Sequence, residues 1–357
     1  MMSREVKSEG AKEADLEQVR TIVHDHPVAK TNLALLGDKK FLFNKMQSSF
    51  VMYGVQGASW IALGDPIGPS EETPALIRRF CQASVEHGGR PVFYEVSNKN
   101  LSVYEGLGLH PLKVAEEGWV PLTSFSLAGP ERRDLRNAVR KAEKEGCAFE
   151  WVEAAGIRTL LPELRAVSDA WLSSKHTREK RFSIGFFDED YLKNFSVGVV
   201  RQNGQIIAFV TLWAGTPGEE LYLDLMRSLP EVPRGTMDLL FVRLMERAQE
   251  KGYGWFNVGM SPLSGPVDRT RHPIWGWIRA RLFRYGETFY NTQGLRQYKE
   301  KFDPQWVPRY LAAPSGLALV RAFVDVAALT SGGLRWIVFK QARYREGLTR
   351  SKQGEAK

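Results

Sequence analysis

The chain has 357 residues, 43% hydrophobic and 25% charged, enough for two domains of ordinary size with an ample core. Lys and Arg number 49 against 41 acids, a net charge of +8 that favours an anionic partner, nucleic acid or membrane surface, without choosing between them. Cys81 and Cys147 belong to no CxxC or Cys/His cluster and the six histidines are scattered, which argues against a disulfide framework and a structural zinc and fits a reducing compartment.

The opening dozen residues are charged and read as frayed, without a signal peptide. Residues 15–36 have a helical, partly apolar pattern. Strand-like runs follow, KKFLFN, SSFVMYGV and ASWIALGDPIG, broken by Gly and Asp-Pro turn signals. TPALIRRFCQASVEHG is helical, with Pro74 near its start and a Gly stop after His87. RPVFYEVS reads as a strand, NKNLSVYEGLG as a short helix and GWVPLTSFSL as another strand.

The second half repeats the theme. GIRTLLPELRAVSDAWLSSK is helical despite Pro162, and VGVVRQNGQIIAFVTLWAG turns at Asn203-Gly204 as a hairpin should. EELYLDLMRS is a strand, TMDLLFVRLMERAQEKG an amphipathic helix and YGWFNVGMS a strand. QASVEHGGRPVFYEVS (82–97) and ERAQEKGYGWFNVGMS (246–261) share one order: helix end, Gly stop, aromatic strand, Ser. This echo suggests an internal duplication, two α/β units with helices on mostly antiparallel sheets. The divisions expected are 15–128, a linker helix at 129–147, 148–313, and a C-terminal helix and tail at 314–357.

On the linker helix, Arg133, Arg136, Arg140 and Lys144 recur every three or four residues and form one stripe, above an apolar face of Leu135, Ala138, Val139 and Ala142. Such a stripe is either a solvated helix face or a track for phosphates. Segment 268–311 concentrates cations, Arg296, Lys299, Lys301 and Arg309 among them, together with Tyr298, Phe302, Trp306 and Tyr310. Cations among aromatics build either a groove for phosphate and a flat ring or a surface over an inward-packed aromatic core.

Alternation in ELYLDLM puts Tyr222, Asp224 and Met226 on one face, and a buried Asp there needs a cation or donors, Arg227 being nearest in sequence. RGTMDLLF (234–241) opens a helix whose N-terminus could hold an anion, although Arg234-Gly235 is only a fragment of an acyl-CoA loop. No Walker A, HExxH or GxSxG sequence occurs. The apolar tract 316–339 keeps Arg321 and Asp325, four apart and able to pair, so it does not read as a membrane span. The tail to residue 345, with Arg335, Trp336, Lys340, Arg343 and Arg345, is expected either to lie as a helix on the second domain, closing the core, or to meet lipid headgroups.

YLDLMR, RGTMDLLF…ERAQEKGYGWFNVGMSPLSG and GLRQYKEKFDPQWVPRYL, with FLFN, YGVQGASWIALGDPIG and NLSVYEGLGL upstream, resemble the C-terminal catalytic domain of the multiple peptide resistance factor family, bacterial phosphatidylglycerol aminoacyltransferases. The resemblance covers residues 25–340 and implies an α/β protein of two tandem acetyltransferase-like (GNAT) folds joined by a basic helix. It implies transfer of alanine or lysine from aminoacyl-tRNA to the glycerol hydroxyl of phosphatidylglycerol at the cytoplasmic face of the bacterial inner membrane, with no cofactor and no metal. It further implies a membrane flippase domain to which this part is normally fused or with which it works, the sequence being either an excised domain or a natural soluble protein. Matched positions make Asp224 the carboxylate that orients or deprotonates the hydroxyl or holds the amino group, with Arg227 fixing Asp224 and Lys299 and Lys301 neutralising phosphate or developing charge. Tyr191 and Glu287 would line the site, and Arg133, Arg136, Arg140 and Lys144 would track tRNA. A peptide-modifying transferase of the same tandem fold and a non-catalytic basic protein that binds nucleic acid or membrane are the competing readings.

Overall fold

The computed structural model describes residues 13–175, 177–216, 218–262 and 292–332. Helix α1 (Glu13–Asp25) ends before Pro27, and a 3-10 segment, Ala29–Leu36, follows where one longer helical stretch was expected. Strands β1 (Lys40–Phe43), β2 (Phe50–Gln56) and β3 (Ser59–Leu63) form an antiparallel meander. Helix α2 (Thr73–Glu86) then crosses back so that β4 (Arg90–Val96) pairs parallel to β3, a connection parallel strands require. After the short α3 (Leu101–Gly106), β5 (His110–Pro121) begins earlier than its sequence pattern suggested.

The second half uses the same parts. Helix α4 (Arg133–Lys144) leads into β6 (Cys147–Val152) and α5 (Leu161–Ser174), where Pro162 is tolerated because it lies in the first turn. The four-residue α6 (Glu189–Leu192) precedes β7 (Ser196–Gln202), β8 (Gln205–Ala214) and β9 (Glu220–Ser228), all antiparallel in turn. Asn203 (φ 51) and Gly204 (φ 81) make the tight turn that their dipeptide announced. Helix α7 (Thr236–Glu250) crosses to β10 (Trp255–Pro262), parallel to β9. Helix α8 (Thr292–Glu300), β11 (Gln305–Ala313) and α9 (Leu317–Ser331) complete the described chain.

All eleven strands join one sheet in the order β1-β2-β3-β4-β11-β5-β10-β9-β8-β7-β6. With β6 set aside the order reads the same from either end, with β3–α2–β4 answering β9–α7–β10. The last strand of each unit is exchanged: β11 pairs with β4 and β5, while β5 pairs with β10. Thus β5 from segment 15–128 and β11 from segment 148–313 each complete the other unit's sheet, and β4 and β10, each paired on one edge within its own half, find the partner of their second edge across the halves. One detail of backbone repeats too. Glu95 (φ 66) and Gly259 (φ 80) sit where the registers of β4 and β10 shift, each two residues before a serine, Ser97 or Ser261.

Helices cover both faces, as an α/β sheet with two apolar faces requires. In β2, Phe50 and Met52 enter the core beneath α1, α5 and α9, while Val51 and Tyr53 enter the one beneath α2. Helix α9 lies on β2, β3 and β11, in the first unit and not on the second as expected. The cause is its buried Asp325, which accepts the Ser59 hydroxyl at 2.7 Å, together with Ala322, Phe323 and Val326 in the same core. Arg321 stands 3.9 Å from Asp325, the pairing their spacing suggested. Arg335, Trp336, Lys340, Arg343 and Arg345 lie outside the described residues.

Candidate active site

Strands β9 and β10 are in register over Glu220–Tyr222 and Trp255–Asn257, and each carries an irregularity just beyond. On β9, Asp224 and Leu225 together oppose the single residue Thr211, a β-bulge. The bulge corrects the alternation expected for ELYLDLM: Leu225 joins Tyr222 in one core, and Met226 packs with Leu221 and Leu223 in the other. Asp224 is therefore re-aimed where a regular strand would have continued.

Its carboxylate accepts the Gly185 amide at 2.9 Å and the Thr211 hydroxyl at 3.4 Å. Gly185 must be glycine here, since a Cβ would lie 2.2 Å from Asp224 Oδ2. Asp224 retains partial exposure, yet burial of its carboxyl raises it to about 7 against the pull of Gly185, Thr211, Arg227 and Lys39. Arg227 pairs with Glu179 at 2.8 Å and lies over the Trp171 ring at 4.1 Å, and its charge favours the ionised Asp224. Tyr191, almost fully buried on α6, neighbours Trp213 and is pushed well above the ordinary tyrosine range by burial and by Asp224's charge.

Lys299 and Lys301, grouped by sequence, point to different places. Lys299 on α8 is buried, donates to the Met260 carbonyl at 2.7 Å and passes 3.5 Å from where a Gly259 Cβ would sit. Burial lowers its ammonium to about 7, with Glu117's charge opposing. Lys301 pairs with Asp238 at 2.9 Å, in the first turn of α7, and lies 4.7 Å from the Tyr298 ring centre. The aromatics between them are mostly core: Phe302 stacks on Phe241 at 5.2 Å and Tyr298 meets it edge-on at 5.6 Å. Arg296 lies 4.1 Å from the centre of the Trp306 ring and binds Glu116 and Glu300. Of these cations, Lys299 reaches the divergence of β9 and β10.

A buried ion network, unnoticed in the sequence apart from Arg309, underlies this point. Glu117 on β5 receives Lys30 at 2.9 Å and Arg309 of β11, and the Tyr222 hydroxyl stands 3.5 Å away. Lys30 also pairs with Glu95. Burial alone would raise Glu117, but Lys30 and Arg309 hold it at about 2. Glu95 moves the other way, raised by burial despite Lys30. The one signal available was the Glu116-Glu117 pair in the middle of a strand. Lys39, next to Asp38 and 1% exposed, was likewise unannounced.

On α4, Arg133, Arg140 and Lys144 are exposed, while Arg136 is half-buried and donates to the Gly129 and Leu127 carbonyls. The helix is seated against α7: a Cβ on Gly235 would fall 2.3 Å from the Ala138 carbonyl oxygen. With Ala138 and the Asp238 carboxylate at the start of α7, the anion suggested for that N-terminus meets main chain and a like charge. Glu287 and the cations at 268–291 lie outside the described residues. Among those described, no helix is long and apolar enough to cross a membrane.

The fold and site define an α/β protein of two similar units sharing one sheet, with Asp224 at the bulge of β9 and Lys299 against the main chain of β10, near where these two parallel strands part. Residues 20–313 match the family model for the C-terminal part of phosphatidylglycerol lysyltransferase, and the chain belongs to that family. It is 36% identical over 283 residues to phosphatidylglycerol lysyltransferase of Staphylococcus xylosus, covering 79% of this chain and 33% of that protein. The chain thus spans about a third of the length of the curated relatives it matches. The crystal structure of the C-terminal domain of a putative lysylphosphatidylglycerol synthetase from Agrobacterium fabrum is 41% identical, with a TM-score of 0.82 over 90% of this chain and 98% of that one. L-PGS from Bacillus licheniformis is 32% identical, with a TM-score of 0.80 over 92% and 98%.

Proposed function

We propose that the protein transfers an amino acid, alanine or lysine, from aminoacyl-tRNA to the glycerol hydroxyl of phosphatidylglycerol. The observation that carries this reading is the placing of Asp224 at the bulge of β9, just beyond its pairing with β10, and of Lys299 against the Met260 carbonyl of β10, where burial raises the first to about 7 and lowers the second to about 7. Two such groups can hold and release protons at neutral pH, which general acid–base chemistry requires.

In this reading the lipid hydroxyl attacks the aminoacyl ester carbonyl and passes its proton to the Asp224 carboxylate. A new ester bond forms, the bond to the tRNA ribose oxygen breaks, and that oxygen takes a proton in turn. Lys299 supplies positive charge to the oxyanion between the two steps. One ester is exchanged for another, so the donor carries its own activation. Arg227 and Tyr191 set the surroundings of Asp224, while Lys301 is committed to Asp238 and stands apart.

Arg133, Arg140 and Lys144 present exposed cations to the acceptor-stem phosphates, and Arg136 holds the loop before their helix. The relatives' greater length accommodates a membrane part, and the chemistry would proceed at the cytoplasmic face of the inner membrane. Aminoacylation would add positive charge to the lipid and weaken attraction of cationic antimicrobial peptides. The test is incubation with labelled alanyl- or lysyl-tRNA and phosphatidylglycerol vesicles. Label in the lipid from one donor supports the reading. Label remaining on both tRNAs, with folded protein, removes it for these donors and turns attention to peptide acceptors.

A further inference from the structure

We propose that Asp38 and Lys39, carried by the first unit, are positioning residues for Asp224 in the second, acting together with the loop Phe182–Gly185. The proposal rests on the reading of Asp224 as the group that handles the acceptor hydroxyl.

Lys39 is 1% exposed and donates to the Leu33 carbonyl at 2.9 Å and to Asp38 Oδ1 at 2.6 Å. The other Asp38 oxygen accepts the Phe182 amide at 3.3 Å. Three residues along, the Gly185 amide donates to Asp224 Oδ1 at 2.9 Å. The loop is therefore strung between two carboxylates, one from each unit. Phe182 has φ 70, a conformation costly for a bulky side chain that persists only where its surroundings over-determine it. At the other end Gly185 leaves no gap, since a Cβ would lie 2.2 and 2.4 Å from the two Asp224 oxygens. Any movement of Asp38 is thus transmitted through four residues to the carboxylate.

The charge of Lys39 reaches the same group. Asp224 is faced by Lys39 and Asp38 from the segment before β1, by Arg227 on β9 with Glu179 opposite it, by Tyr191 on α6 and by Tyr222 on β9. Lys39 and Arg227 are the cations of this set, and both favour the ionised carboxylate. An ammonium buried for packing alone would be replaced at little cost by an apolar side chain. Here it is held 2.6 Å from Asp38, and Asp38 in turn fastens the loop that touches Asp224.

The experiment is a carbon-13 NMR titration of the Asp224 side-chain carboxyl in the full chain, assigned by its loss in Asp224→Asn. Lys39→Met and Lys39→Gln, two neutral replacements of different polarity, are expected to raise the midpoint by about one pH unit, and Lys39→Arg to leave it near the parent value. With the midpoint raised, transfer at pH 7 should fall about fivefold while KM for donor and lipid stays within about twofold. Gly185→Ala, which leaves Lys39 in place, should also raise the midpoint, because the added Cβ pushes the carboxylate away from the residue 185 amide. Midpoints within about 0.2 units of the parent in folded Lys39 variants would overturn the role of Lys39, and the same result for Gly185→Ala would overturn that of the loop. The midpoint is read without substrate, so absence of transfer by the parent protein would count against the proposed function and leave this test intact.

Discussion

Glu95 and Gly259 occupy the same place in the two units, each at positive φ where a strand slips register, two residues ahead of a serine. In the first unit the place is filled by a carboxylate that binds Lys30. In the second it is bare main chain, and Lys299 passes beside it to reach Met260. The duplicated framework has one copy closed by an ion pair and one open to an ammonium, an asymmetry that the proposed chemistry would use.

Loss of either reactive group should be seen directly. Asp224→Ala or Lys299→Ala is expected to abolish movement of label from aminoacyl-tRNA into phosphatidylglycerol vesicles. Lys301→Ala should keep most of the activity and instead lower the melting temperature by a few degrees, because its partner is Asp238 at the start of α7.

Asp224→Asn should make the protein more stable while it stops the reaction. The folded carboxyl titrates near 7 against an ordinary 3.8, so between those values the unfolded chain binds fewer protons and stability falls as pH rises. Removing the group should recover about 2–4 kcal/mol above pH 7 and nothing below pH 4, readable as urea midpoints at the two pH values.

Glu117 has the opposite sign. Held at about 2 against an ordinary 4.5, it contributes stability that is fully present above pH 4.5 and is lost as pH falls toward 2. Glu117→Gln leaves Lys30 and Arg309 buried without their shared carboxylate and should cost about 3–5 kcal/mol at pH 7 in urea unfolding.

The exposed cations of α4 should pair with phosphates. Arg140→Glu and Lys144→Glu are expected to weaken tRNA binding and to reduce the slope of log affinity against log salt by about 0.9 for each phosphate no longer neutralised. Arg136→Ala should alter stability more than that slope, since it holds the Gly129 and Leu127 carbonyls. Fluorescence anisotropy over a salt series separates the two effects.

Much of the fold was legible because its signals are local. The Asn203-Gly204 hairpin, the α7 helix and the echo between 82–97 and 246–261 each follow from neighbouring residues. The exchange of β5 and β11 was not, because a strand's partner is chosen by contacts far along the chain. Asp224 and Lys299 could be singled out by resemblance, yet the bulge at Asp224 and Leu225 reversed the face of everything after it, which no alternation rule anticipates. Lys39 and Glu117 escaped notice because a charge in a strand-like run looks solvent-facing until its tertiary partners are known. The grouping of Lys301 with Lys299 failed because side chains two apart at the end of a helix face different ways, one to Met260 and the other to Asp238.

The bond between Glu117 on β5 and Arg309 on β11 crosses the two exchanged strands, and Glu117 also acts on Lys299. The seam that holds the halves together and the field at the Lys299 ammonium thus share one carboxylate. Heating or mild denaturant that loosens this seam should silence the protein before its outer helices melt, so inactivation should run ahead of the loss of helical circular dichroism. For the same reason neither half can be cut out as an independent module: 15–128 alone would expose the edge of β4, and 148–313 alone that of β10, each an invitation to aggregate. Two genes carrying the halves would have to be expressed together, and their products would have to interlace before either became a protein.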